Sequence, residues 1–179
     1  MAKRDEKIDE MLAKEEIREL GLRYCRAVDR GDMELLESVY HPDALDEHGF
    51  NTTNTAREFL DAVPAMRPTM KELQHNITNH RIVVDGDRAE GELYHLAWHR
   101  YDEADGEVLL VMGGRYLDKY DKRDGEWRIA HRVCVNDWGV KVPAPQQPDV
   151  DMLGEGLPHG SAGTADESYK FFSLLASHQ

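Results

Sequence analysis

The chain of 179 residues carries 22 basic against 35 acidic side chains, a formal net charge of −13. Its length fits one domain with a core large enough to enclose a cavity, and its negative charge repels phosphate backbones and anionic headgroups, so neither nucleic acid nor a membrane surface is expected as a partner. The amino terminus, MAKRDEKIDEML, lacks an apolar secretory core, and no stretch approaches the ~20 apolar residues that span a bilayer; a cytoplasmic protein is the expectation.

From Ile8 to Val28 the apolar positions Ile8, Met11, Leu12, Ile17, Leu20, Tyr24, Cys25 and Val28 recur at three- and four-residue steps, which predicts a long helix with one buried stripe. Arg30-Gly31-Asp32 breaks it, Asp32 is placed to cap a second short helix (MELLESVY), and His41-Pro42-Asp43 ends that one. A third helix is expected over TAREFLDAV, before Pro64 and Pro68.

From Gln74 onward, Asp85-Gly86, Asp105-Gly106 and Asp124-Gly125 punctuate runs rich in Val, Ile, Leu, Tyr and Trp. Asp-Gly supplies the positive φ angles of tight hairpins, so four strands, at 74–84, 88–102, 107–121 and 126–137, should form an antiparallel meander. Strands well beyond the usual ~5–6 residues twist and curl. The expected fold class is α+β, a cone-shaped barrel in which a strongly curved antiparallel sheet wraps the first helix and leaves an open mouth.

Strand parity sorts the side chains. Leu93, His95, Ala97 and His99 share one face against Tyr94, Leu96 and Trp98, and Arg128, Ala130, Arg132, Cys134 and Asn136 oppose Trp127, Ile129, His131, Val133 and Val135. With the more polar face lining a cavity, the apolar face needs covering by another copy, so a homo-oligomer is expected. After Val140 the composition shifts to Pro, Gly and polar residues, dividing the chain into a domain over 1–140 and an irregular arm over 141–179. The arm ends in an apolar segment, Tyr169, Phe171, Phe172, Leu174 and Leu175, expected to dock on the body or on a neighbouring subunit.

No metal or cofactor is expected. His95 and His99 lie four apart in a strand, ~13 Å along it, too far for one ion bound at ~2.1 Å. Cys25 and Cys134 lack C-x-x-C spacing and read as two buried thiols. Gly113-Gly114 falls mid-strand rather than in the strand-to-helix turn that a dinucleotide fingerprint requires.

What remains is Asp29, a carboxylate at a helix C-terminus against the preference of the helix dipole, and His75, opening a strand. A carboxylate that orients an imidazole is a general-base device. Structural readings stand beside it: His75 as a partly buried histidine, Asp29 as a solvated helix-end residue, Tyr24 as a core aromatic and Arg132 as an interface cation.

Taken together, Tyr24, Asp29, His75 and Arg132 resemble the pattern of the SnoaL-like branch of the nuclear transport factor 2-like superfamily, over about residues 8–140. The pattern is closest to its cofactor-free lyases, scytalone dehydratase, bile-acid 7α-dehydratase and hexachlorocyclohexane dehydrochlorinase. The resemblance implies a catalytic Asp29–His75 dyad assisted by Tyr24 and Arg132, a cavity position at His48 where the bile-acid enzyme has a tyrosine, and a trimer packed through its sheets.

The expected activity is elimination of water from a hydrophobic ring-containing small molecule. Val28, Leu93, Ala97, Met112, Gly114 and Tyr116 would line the cavity, with His48, His95, His99 and Asn136 as polar contacts. Retro-aldol loss of formaldehyde from a lignin-derived aromatic, or isomerisation of a steroid, uses the same residues. A non-catalytic binding or assembly subunit is the alternative from another class.

Overall fold

The structure is a computed structural model that describes residues 2–49, 55–144 and 158–175. Helix α1 spans Ala2–Arg30 and α2 Met33–Ser38; they lead into strand β1 (Tyr40–Glu47). Helix α3 (Ala56–Met66) and a short 3-10 turn (Arg67–Thr69) precede β2 (Met70–Asp85), β3 (Arg88–Glu103), β4 (Gly106–Arg123) and β5 (Glu126–Pro143). A last short helix, α4, covers Glu167–Phe171. The sheet order is β1-β5-β4-β3-β2, and the curved, unclosed sheet packs against α1 in an α+β fold.

The buried stripe of α1 runs through Ala13, Ile17, Leu20, Tyr24 and Ala27, at helical steps. Ile8, Met11 and Leu12, expected on that stripe, are exposed instead, Met11 by 69%, because the buried contacts of the helix begin only at Ala13. Gly21 lets helix and sheet approach: a Cβ there would lie 3.2 Å from Leu93. Gly31, at φ +71°, terminates the helix in the left-handed conformation glycine tolerates best. The Asp32 N–H then reaches back to the Ala27 carbonyl at 2.9 Å and the Gly31 N–H to that of Val28 at 3.3 Å, the paired bonds of a Schellman stop. Asp32 also starts α2, accepting the Leu35 N–H at 3.1 Å.

The four-strand meander is present with longer strands, and the sheet gains a fifth. β1 lies parallel to β5, pairing Leu45 with His131, Asp46 with Arg132 and Glu47 with Val133. His41-Pro42-Asp43, expected to end the second helix, lies within β1, and that helix already stops at Ser38. An edge strand tolerates Pro42, which has no N–H to give a neighbour, and the pairing slips between Tyr40 and Leu45. At the β4–β5 turn both Asp124 (φ +54°) and Gly125 (φ +86°) are left-handed, as a two-residue hairpin of the primed type demands. A register shift between Lys119 and Tyr120 resets the parity of β5. Trp127 and Ile129, expected on the outer face, are consequently buried in the core with Tyr120, Leu93 and Tyr116.

β5 continues three residues past the boundary expected at 140. Of the arm that follows, 145–157 and 176–179 lie outside the described residues. The part described folds onto the end of α1 through polar groups. Arg30 Nη1 donates to the Ser161 carbonyl at 2.8 Å, the Tyr169 hydroxyl donates to Asp32 at 3.0 Å, and the Arg26 guanidinium stands 5.0 Å over the Tyr169 ring. Of the apolar residues expected to dock, Tyr169 packs on the body, whereas Phe171 is 79% exposed on this chain and Phe172, Leu174 and Leu175 are also exposed.

Candidate active site

Asp29 occupies the last turn of α1, and the Schellman stop leaves its backbone carbonyl free of intrahelical partners. Arg67, in the turn before β2, takes that carbonyl with two nitrogens, Nε at 3.1 Å and Nη2 at 2.8 Å, and reaches the Met70 carbonyl with Nη1 at 2.7 Å. Helix end and strand start are thereby clamped together. The Asp29 carboxylate then accepts two bonds from one residue: the His75 backbone N–H at 3.0 Å and His75 Nδ1 at 2.7 Å. Both side chains are more than nine-tenths buried. With Asp29 ionised, Nδ1 carries the proton, and the lone pair of Nε2 faces away from the carboxylate with no hydrogen-bond partner among the described residues. That is the arrangement of an oriented general base.

The sheet registers build the surroundings in rows. His75 lies opposite Ala97, and Ala97 opposite Met112; one row away Ile77, His95 and Gly114 align, and on the other side Leu73, His99 and Leu110. The His75 ring is thus flanked by His99, at 5.6 Å between centroids, and by His95 at 6.5 Å. Burial, with His75 adding to it, lowers both flanking histidines to about 4, so both are neutral at pH 7. His95 stacks on Tyr116 at 4.3 Å, and neither of its ring nitrogens has a protein partner, nor does Nδ1 of His99. Buried donors and acceptors left open beside an oriented base are free for a ligand's polar atoms. Gly114 makes room at this point: a Cβ would stand 2.3 Å from the Val135 carbonyl oxygen and 3.0 Å from His95 Nε2.

Arg132 faces inward, as strand parity implies, but fully sealed. Its guanidinium donates to Asp118 from Nε at 2.8 Å and from Nη2 at 2.7 Å, while the Tyr120 hydroxyl donates to the same carboxylate at 2.7 Å. Its central carbon sits 4.3 Å from the Tyr24 ring centre and 4.2 Å from that of Tyr116. Burial acts against the charge, yet Asp118 with the surrounding tyrosines carries the Arg132 pKa well above its ordinary value. Nη1 alone among its nitrogens is buried without a partner. Tyr24 is buried between Arg132, Phe59 and Tyr116, its hydroxyl 2.9 Å from His48 Nε2. Burial raises the Tyr24 hydroxyl well above 10, with Arg132 pulling the other way.

The remaining expected contacts divide. Leu93, Ala97 and Tyr116 are closed off in the interior, with Val28 and Met112 only partly covered. Asn136 lies opposite Gly114 but is exposed, because the bulge between Gly113 and Gly114 turns β5 outward there. Among the described residues no group of three or more His, Cys, Asp or Glu side chains is placed to hold a metal ion.

Several buried polar residues escape a reading by sequence. Arg67 follows a helix and precedes Pro68 like any surface arginine. Asp118 and Tyr120 belong to a strand whose parity does point them inward, and they could have been found from Arg132 by pairing β4 with β5. Asp46 required recognising β1, after which its alternation with His48 puts both on one face.

Several solved structures share the fold. The hexachlorocyclohexane dehydrochlorinase LinA-type3 of Novosphingobium barchaimii superposes with a TM-score of 0.70 at 21% identity, over 79% of this chain and 98% of that one. A Novosphingobium aromaticivorans protein assigned provisionally as a scytalone dehydratase gives 0.66 at 20% identity, over 76% and 91%. Rv3472 of Mycobacterium tuberculosis, a protein of unknown function, gives 0.60 at 27% identity, over 71% and 77%. No curated protein sequence matches. The model of the SnoaL-like domain matches residues 9–133, well over half of the sequence, and the chain accordingly belongs to the SnoaL-like domain family.

Proposed function

We propose that this chain is a cofactor-independent lyase that eliminates water from a hydrophobic, ring-containing small molecule. The observation that carries the reading is the Asp29–His75 pair, with two hydrogen bonds onto one carboxylate and the opposite imidazole nitrogen unpartnered. Similarity in fold to a dehydrochlorinase and to a provisional dehydratase agrees with eliminating chemistry. His75 Nε2 takes a proton from carbon next to a carbonyl or phenol-conjugated centre. Asp29 holds the imidazole in the required tautomer and stabilises the imidazolium formed. The developing oxyanion meets the neutral His95 and the open Nη1 of Arg132, and the Tyr24 hydroxyl assists the departing oxygen. General-base catalysis contributes ~10²–10⁴-fold and each well-placed oxyanion donor ~10²–10³-fold, enough together for an acidic C–H bond without a metal. A binding or assembly subunit would have no need of a buried carboxylate spent on orienting one histidine.

The probe reactions are exchange of the α-protons of α-tetralone in deuterium oxide and dehydration of its 3-hydroxy derivative to a naphthol. Substitution of His75 by Gln should lower both by ~10²–10⁴-fold with the fold retained. Equal rates for variant and parent would overturn the assignment. We further propose that copies of the chain associate through the outer face of the sheet, where Trp138 and Val140 are about half exposed.

A further inference from the structure

Position 48 carries a second histidine–carboxylate pair. His48 follows the inward-facing end of β1, its Nδ1 hydrogen-bonded to Asp46 and its Nε2 2.9 Å from the Tyr24 hydroxyl. Asp46 is fully buried, and its other oxygen accepts the Tyr40 hydroxyl at 2.7 Å. The imidazole lies flat on Phe59, 4.3 Å between centroids with 8° between planes, which fixes its rotation. The groups facing it are therefore Tyr24 from α1, Asp46 and Tyr40 from β1, Phe59 from α3 and Tyr116 from β4. Arg132 from β5 lies beyond Tyr24, and His95 from β3 beyond Tyr116.

Direction follows from donor and acceptor inventory. An ionised Asp46 only accepts, so His48 Nδ1 carries a proton and Nε2 presents a lone pair. The Tyr24 O–H must then donate to His48, leaving the phenol oxygen's own lone pairs open. A buried tyrosine without such a partner is a poor proton carrier, because loss of its proton would leave an anion without compensation. Here the proton passes to an imidazole braced by a carboxylate, and the Arg132 cation over the ring face, 4.3 Å away, compensates charge growing on the phenol oxygen.

We propose that Tyr24, His48 and Asp46 form a second proton-handling set of this site, distinct from Asp29–His75, in which His48 stores the proton that Tyr24 exchanges with the substrate oxygen. This rests on the dyad reading above and adds the acid to its base. In the delivering step the imidazolium Nε2–H passes its proton to the Tyr24 oxygen while the Tyr24 O–H proton goes to the departing hydroxyl. The C–O bond breaks with its electron pair on oxygen, water leaves, and His48 ends neutral. In the recharging step a solvent proton enters at the same phenol oxygen and the Tyr24 proton returns to Nε2. Tyr24 touches the substrate; His48 and Asp46 act through it and are positioning residues.

The test separates the two proton sets. In His48→Gln, dehydration of 3-hydroxy-α-tetralone should fall by about 10²-fold, with loss of the limb of its pH profile that reports His48. Exchange of α-tetralone protons, which uses His75 and the oxyanion donors but has no departing hydroxyl, should stay within about threefold of the parent. Tyr24→Phe, which leaves His48 and Asp46 in place, should lower dehydration to a similar extent and serves if the first variant does not fold. An equal fall in both reactions, or no fall in dehydration, overturns the relay. If the parent acts on neither probe, the dyad reading is what fails, and the relay is decided by nitrogen-15 NMR of the imidazoles in the full chain. A His48 resonance that alternates between an Nδ1-protonated ring with Nε2 bare and a doubly protonated ring, with a concerted shift of the Tyr24 ζ-carbon, upholds the relay. The opposite tautomer, or a Tyr24 signal that ignores the His48 titration, overturns it.

Discussion

Arg67 shows how much of a site can rest on a residue with no chemical role of its own. Its guanidinium ties a carbonyl in the last turn of α1 to the start of β2 through three bonds, and those two segments carry Asp29 and His75. Lysine cannot reproduce the fork, so Arg67→Lys should lower turnover of the probe reactions by about tenfold, while Arg67→Ala should also cost about 2–4 kcal/mol in urea unfolding, leaving two buried carbonyls unpaired. Titration adds a second prediction. His80, His95 and His99 are lowered by burial from 6.5 to about 4. The unfolded chain therefore binds more protons than the folded one between those values, and stability must rise with pH through that window. Acidification from pH 7 to about 4.5 should remove on the order of 1–2 kcal/mol per histidine after solvent screening, measured as a falling urea midpoint; a flat midpoint would count against burial of the three rings. Asp29 and His75 were legible as residues because each breaks a local habit. Arg67 was not, since nothing in R-P-T marks it as buried.

At the scale of elements, helix and hairpin punctuation was readable because it is local. Gly31, Asp32 and the three Asp-Gly pairs act within a few residues of themselves: Gly31 stops α1, Asp32 caps α2, and Gly86, Gly106 and Gly125 all take positive φ at the hairpins. β1 was not readable, because its tyrosine, proline and acidic residues resemble a helix stop, and only pairing with β5 makes them a strand. Parity failed at Trp127 and Ile129 for a related reason: one bulge, invisible in composition, inverts the face of everything before it. The bulge at Gly113 offers a test. A Cβ at this position would fall 2.3 Å from the Trp138 ring, so Gly113→Ala must displace the indole or bend β4. We expect a loss of about 1–3 kcal/mol, read as a lowered thermal midpoint together with a changed Trp fluorescence.

At the scale of the whole molecule, the outer face of the sheet remains apolar where β3, β4 and β5 run side by side, with Tyr94, Leu117, Trp138, Val140 and Val142 all exposed. If copies of the chain cover that face, light scattering after gel filtration should give a mass of three chains, and Val140→Lys with Trp138→Lys should reduce it to one. A monomeric parent would reject the proposal. Amino-acid order alone determined the α+β class, the long first helix and the meander, and singled out Asp29 and His75 one by one, because periodicity, capping and turn chemistry are short-range and each residue declares them locally. Only the tertiary structure decided that Arg67 clamps that pair, that Arg132 is sealed against Asp118, and that His48 is joined to Tyr24 and Asp46. Those contacts bridge 38, 14 and 24 residues of chain. Burial and hydrogen bonding across such distances depend on strand register and helix placement, which no local pattern encodes.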